Sequence, residues 1–155
     1  MSLNNNALKR NGLTLLIKKI IIYCYQTTRV CFYKLLSLNK AQLENCKINQ
    51  PVSFMGQGTI WAKKVNFGIV CSPFYLNGYS YIEARSTGST IHIGENTFIN
   101  NNAVIIADRS AISIGSECLI GAHFTLFDSD FHGVSPENRH NGIYETKNVV
   151  IGYHV

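Results

Sequence analysis

The first 43 residues contain no acid at all; the first is Glu44. Over that stretch Lys9, Arg10, Lys18, Lys19, Arg29, Lys34 and Lys40 go unopposed, a net +7. Residues 44–155 carry seven Lys/Arg against nine Asp/Glu, or −2, and 7 − 2 returns the overall +5. The basic character therefore belongs to an N-terminal arm, and the body has no surplus of cations with which to hold nucleic acid. Charge is scarce overall, at 15%, while apolar residues make up 46%, which excludes an intrinsically disordered chain. Paired cysteines are lacking too. Cys24, Cys31, Cys46, Cys71 and Cys118 are odd in number, scattered, and form no CxxC. That excludes a disulfide framework or a cysteine zinc site and predicts free, buried thiols in a reducing compartment. There is no long apolar run. The longest without charge, Ile20 to Tyr25, falls far short of the roughly twenty residues of a membrane span. Nor is there a signal-peptide pattern, because Lys18-Lys19 split the apolar residues of 13–25 and no small-residue cleavage site follows. A cytoplasmic protein is expected. Its 155 residues fit one domain plus an arm, divided as 1–45 and 46–155.

What is present begins with a helix. Residues 11–38 have helical texture, with Asn11 as a cap and Leu13, Leu16, Ile17, Ile20, Ile21 and Cys24 at steps of three and four. This makes an amphipathic helix with basic residues over much of its remaining surface. Such a stripe either packs on the body or a neighbouring subunit, or lies peripherally on an anionic membrane at its inner face.

From about residue 46 the periodicity changes. Ile93-Gly94 is followed six residues later by Ile99-Asn100, and six later again by Ile105-Ile106. A second series runs Ile114-Gly115, Ile120-Gly121, Leu126-Phe127, and a third starts at Ile151-Gly152. An aliphatic residue every six positions suits a short strand that turns a corner and repeats, three strands to a coil. The aliphatic residues then stack as internal ladders, with a Gly or Asn tolerating the backbone of the corner. An antiparallel sandwich would not keep six-residue spacing through successive segments. Residues 46–92 are less regular and are expected to form degenerate early coils that shield the open end of the ladder.

The repeat is interrupted twice. Ile93 to Ile114 spans 21 residues, three more than three hexads, and the excess lies at Ala107–Ser110, "ADRS". Ile114 to Ile151 spans 37, the length of two coils plus one residue, yet no hexad is visible between Leu126 and Val149. The stretch "FTLFDSDFHGVSPENRHNG" is therefore an excursion from the coil, and long loops on repeat scaffolds are where function concentrates.

The segments "IHIGENTFINNNAVIIAD", "AISIGSECLIGAHFTLFDSDFHG" and "VVIG" resemble the left-handed parallel β-helix acyltransferases with hexapeptide repeats. Within them, the chain is most similar to sugar O-acetyltransferases of the maltose and galactoside type and their relatives in capsule and lipopolysaccharide synthesis. The resemblance spans residues 88–155. It implies an all-β, left-handed parallel β-helix behind an N-terminal amphipathic α-helix, assembled as a homotrimer. It implies transfer of an acetyl group from acetyl-CoA to a saccharide hydroxyl in surface polysaccharide biosynthesis, without a metal. A hydroxyl needs a base to take its proton as it attacks the thioester, and histidine suits that task near neutral pH. The position implied for this base is His132 in "DSDFHG". Asn100 and Asp108 match positions that line the acceptor sugar, and Asp130 is a candidate to orient the imidazole or bind sugar. Arg139 is a candidate anchor for the loop. Each has a structural alternative, since Asn100, Asp108, Asp128 and Asp130 also suit tight turns. His92, between two inward isoleucines, should point outward, and His123 likewise.

Two other readings stand beside this one. Three histidines on such a fold are compatible with a zinc carbonic anhydrase, although His92, His123 and His132 lack that family's close histidine pair. The resemblance also predicts several further coils, carrying the acetyl-CoA arm, after "VVIG". Their absence from this sequence makes the chain read as truncated at its C-terminus, either a fragment or a non-catalytic scaffold.

Overall fold

The computed structural model describes residues 3–155, with side chains from Gly12 onward. A long helix, α1 (Leu3–Leu36), leads into thirteen short strands. The strands fall into successive turns of chain: β1 (Gln42–Glu44), β2 (Lys47–Ile48) and β3 (Val52–Met55); then β4 (Thr59–Lys63), β5 (Asn66–Phe67) and β6 (Ser80–Ala84). The third turn is β7 (Thr90–Ile93), β8 (Phe98–Ile99) and β9 (Val104–Ala107), and the fourth β10 (Ala111–Ile114), β11 (Leu119–Ile120) and β12 (Thr125–Phe127), followed by β13 (Val149–Ile151). Each strand pairs in parallel with the one three places on. This yields three sheets, ordered β1-β4-β7-β10-β13, β2-β5-β8-β11 and β3-β6-β9-β12. The connectivity is that of a parallel β-helix-like solenoid.

The hexads account for the core. Ile60, Ile91 and Ile112 stack in register, as do Ala62, Ile93, Ile114 and Ile151. On the other two sides the rungs are Ile48, Phe67, Ile99 and Ile120, and Phe54, Ile82, Ile105 and Leu126. The rungs of the inner coils are fully buried, and each such side chain contributes about 1.5–3 kcal/mol of transfer free energy. Outward neighbours such as His92 and Ser113 alternate with them, as a period of two requires.

In two of the Ile-Gly pairs, at Gly94 and Gly115, the glycine has a different cause from the expected one, while at Gly121 and Gly152 a Cβ would meet nothing within 4 Å. Gly94 and Gly115 do not have positive φ; the left-handed residues of this corner are Asn45, Lys64, Asn96, Glu117 and His154, one per coil. Glycine is needed because the coils touch there. A Cβ on Gly94 would sit 2.6 Å from the backbone of Gly115 and Ser116, and one on Gly115 would sit 2.4 Å from the carbonyl oxygen of Gly152.

Several expectations change. Residues 46–92 form complete coils, and the cap is supplied by α1 and the strap after it. Ser37 Oγ accepts from Phe54 N–H at 3.0 Å, Asn39 N–H donates to Phe54 O at 3.0 Å, and Asn39 Nδ2 donates to the carbonyls of Gly56 and Gly58. These bonds satisfy the free edge of β3. The helix starts at Leu3 and runs through Gly12, ahead of the expected Asn11 cap, whose side chain lies outside the described residues. Only its C-terminal half docks. Gln26 Nε2 donates to Tyr75 O, Arg29 donates to Gly78 O and Tyr75 O, and Tyr33 packs on Tyr79 at 4.7 Å. The five cysteines are free, but only Cys118 is buried; Cys24, Cys31 and Cys71 are exposed. Finally, Ile151 pairs directly with Ile114. The step of 37 from one to the other is one coil plus an excursion, not two coils.

Replacing Gly94 with alanine forces a methyl against backbone that has no flexible end to yield. Gly94→Ala is expected to lower stability by about 1–3 kcal/mol, seen as a fall of several degrees in the thermal midpoint by circular dichroism. Gly88→Ala, where a Cβ meets nothing within 4 Å, should leave the midpoint unchanged; equal shifts for both would refute the stacking account.

Candidate functional site

The excursion begins where a ladder position changes chemistry. Inward positions at the end of the third side are Ala84 and Ala107, paired in register. Asp128 follows Phe127, which pairs with Ile106, and so takes the next inward place above those alanines. It is 5% exposed. A carboxylate there must be satisfied, and Oδ2 accepts the backbone N–H groups of Arg109 at 3.1 Å and Ser110 at 2.9 Å. Oδ1 and the neighbouring Ser129 Oγ are buried with no hydrogen-bond partner among the described residues. Both donors lie in "ADRS", the earlier interruption, so the two irregularities of the repeat bond to each other.

Further links tie them together. Asp108, 4% exposed, accepts from Arg109 Nε at 2.9 Å, Arg85 Nη1 at 3.4 Å and Tyr144 OH at 3.0 Å. Arg109 also donates to Tyr144 O at 3.2 Å, with its guanidinium 4.2 Å from the Tyr144 ring. Ser110 Oγ donates to Thr146 Oγ1 at 2.7 Å, and Lys147 N–H donates to Asp128 O at 2.9 Å. Hydrogen bonding to Asp108 holds Arg109 above its ordinary pKa, and bonding to Glu83 does the same first of all for Arg85, so both stay cationic.

Between this anchored base and the outgoing chain lies a cleft of 880 Å³. Asp128, Asp130, His132, Asn138, Tyr144 and Lys147 are among its lining residues. Phe131 turns the chain into it with φ of 61°, a conformation unfavourable for a bulky residue. Its ring is held 5.2 Å from Phe127 and 4.8 Å beneath the Arg85 guanidinium. Next to it stands His132, exposed to the cleft. Gly133 is buried where a Cβ would lie 2.4 Å from Asn138 O, so the loop closes tightly just behind the histidine.

The imidazole has one defined partner. His132 Nδ1 lies 3.1 Å from Gly133 O. A carbonyl only accepts, so Nδ1 carries the proton and Nε2 presents a lone pair. In the neutral ring Nε2 is then the nitrogen able to accept a hydrogen bond.

The expected residues are distributed as follows. His132 and Asp130 line one cleft. Asp130 is exposed and makes no hydrogen bond or ion pair with the described residues, so the imidazole is oriented by Gly133 and not by Asp130. Asp108 reaches the cleft wall through Tyr144. Asn100 does not join them: it sits at the corner after β8, where its Oδ1 accepts from Asn101 N–H at 2.7 Å. Arg139 supplies only a backbone N–H, to Pro136 O, and the loop is anchored instead by Arg109. His92 stacks outward on Trp61 at 4.4 Å, and His123 lies 2.7 Å from Asn102 Nδ2 and against Phe74. These two and His132 are thus in three separate settings, and the described residues contain no group of three or more His, Cys, Asp or Glu placed to hold a metal ion. Sequence reasoning missed Arg109, Tyr144 and the buried role of Asp128. The three-residue excess at "ADRS" was the available signal for the first; Tyr144 had none.

Comparison with characterised proteins gives one relationship. The chain is 27% identical over 90 residues to the polysialic acid O-acetyltransferase of Neisseria meningitidis. The match covers 58% of this chain and 36% of that protein, so the chain spans about a third of the relative's length. No protein family profile and no solved structure matches the chain. The relationship is to an acyltransferase, and the parallel sheets agree with it.

Arg109→Ala removes the loop's main tether while leaving the ladders intact. Limited proteolysis is expected to cut within residues 128–148 several-fold faster than in the wild type, with a thermal midpoint within about 2 °C of it. Unchanged cleavage would mean that Arg109 does not hold the loop.

Proposed function

We propose that this protein is an acetyl-CoA-dependent O-acetyltransferase acting on a saccharide hydroxyl, with His132 as the general base. The observation that carries the reading is the His132 imidazole, with Nδ1 tied to Gly133 O and Nε2 free within the cleft. The acyltransferase relationship supports it from a separate direction.

In the proposed reaction the acceptor oxygen attacks the thioester carbonyl carbon of acetyl-CoA. Nε2 takes the hydroxyl proton as the C–O bond forms. The C–S bond then breaks, the proton passes to the departing thiolate, and the products are the acetyl ester and free CoA. No acyl-enzyme forms and no metal takes part. The Nδ1–H to Gly133 O bond also favours the imidazolium that exists between the two proton transfers, because both ring nitrogens then carry protons.

Asp130, exposed and unpaired on the rim, is assigned to the acceptor's hydroxyls. Asp108 is assigned to the same wall through Tyr144. Asn100 lies away from the cleft of its own chain, so a role in acceptor binding requires a neighbouring copy. We assign that copy to a homotrimer of left-handed β-helices, the assembly expected for this class of enzyme. We place the reaction in the cytoplasm, in the synthesis of a surface polysaccharide.

The test is a direct assay of CoA release with acetyl-CoA and a panel of saccharide acceptors. His132→Ala is expected to lower kcat by about two to four orders of magnitude, with the folded spectrum unchanged. Activity near the wild-type level in that variant would sink the assignment. Stoichiometric bound zinc by elemental analysis would revive the carbonic anhydrase reading.

A further inference from the structure

The residues of α1 that hydrogen-bond to the body on one side of the helix are polar, Gln26 and Arg29, with Tyr33 beside them, and Ser37 just past the helix reaches it too. The opposite face is apolar. At about 100° per residue, Leu13, Ile17, Ile20, Cys24, Cys31 and Leu35 fall within roughly one sixth of the helix circumference, facing away from that contact. No charged residue lies among them. They are exposed, with Leu13 at 61%, Ile20 at 53% and Leu35 at 81%. Tyr23 and Phe32 flank this stripe, exposed as well. An apolar strip of this kind, left open to water, needs an occupant.

We propose that this stripe lies on an anionic lipid bilayer, so that α1 is held between the membrane surface and the solenoid. Two candidates could cover it, a bilayer or a second copy of the helix. Charge decides between them. The arm carries seven cations and no anion. Pairing two such arms sets like charges together with no acid on either to compensate. A bilayer with anionic headgroups supplies the missing sign, attracting each lysine near its surface while the stripe enters the headgroup region. Tyr23 and Phe32 occupy the flanks, where amphipathic and aromatic rings settle at an interface. The helix lies on the membrane and does not cross it, since no described helix is long and apolar enough to do so. Because the stripe is opposite the docked face, both contacts are made at once.

The experiment is vesicle flotation of the full chain, and its readout does not depend on acetyl transfer. Vesicles of phosphatidylethanolamine with phosphatidylglycerol should carry the protein, binding should weaken at high salt, and vesicles of phosphatidylcholine alone should not carry it. Ile17→Glu combined with Ile20→Glu should reduce flotation at least tenfold. Since both positions are exposed, the thermal midpoint should hold. Lys18→Gln combined with Lys19→Gln should reduce flotation about tenfold without touching the stripe. The proposal is overturned by absence of flotation with the anionic vesicles, by equal binding to phosphatidylcholine, or by wild-type flotation of the Ile17/Ile20 variant. It is also overturned if sedimentation velocity finds a lipid-free oligomer that the Ile17/Ile20 variant dissociates, which would assign the stripe to a second copy.

Discussion

The close approach of one coil to the next is the constraint on which everything else depends. Parallel pairing of every strand with the one three places on sets the spacing, and that spacing leaves no room for a Cβ at Gly94 or Gly115. With the coils at that distance, Ile91 meets Ile112 and Ile93 meets Ile114, and water is excluded from the interior. A ladder of this kind tolerates no slip, since a shift of one residue would turn every inward isoleucine outward. The result is a rigid base with three flat sides.

On that base the cleft is an exception with a cause. An inward position held by alanine in two successive coils becomes Asp128, and a buried carboxylate has to be met by donors. The extra residues of "ADRS" supply them from the coil below. The same segment then provides Arg109, which grips Tyr144 on the far limb of the loop. The chain between, including His132, is consequently a strap fixed at both ends. The His132 imidazole is oriented within the strap itself, by the carbonyl of the next residue.

The ladders could be read from the sequence because a period of six is a direct image of the coil, and Ile93, Ile99, Ile105, Ile114 and Ile120 are all buried as that period requires. Both interruptions were visible for the same reason, as counts that failed. What spacing does not encode is which irregular residues meet. Asp128 has the composition of a turn residue, and only its register over Ala107 makes it structural. The glycines illustrate a different limit: turn geometry and close stacking ask for the same residue, and at Gly94 and Gly115 it is stacking that requires it. Asn100 and Asp108, eight positions apart, belong to different sides of the solenoid, a separation that linear spacing conceals. The helix misled in its own way. A stripe of apolar residues was legible, but not that the polar face would be the one to dock.

The anchoring of the strap has an evolutionary side. Its hydrogen bonds to the solenoid run to residues 106–111 and to its own ends, Phe131 adds a ring contact to Arg85, and none of these runs to the isoleucine rungs. Chain between Ser129 and Tyr144 can therefore lengthen, shorten or change composition without altering how the coils stack. Such a fold separates the part that must be conserved in shape from the part that can diversify. The loop behaves as an exchangeable insert, and variation in the lining of the cleft can accumulate there while the scaffold stays as it is.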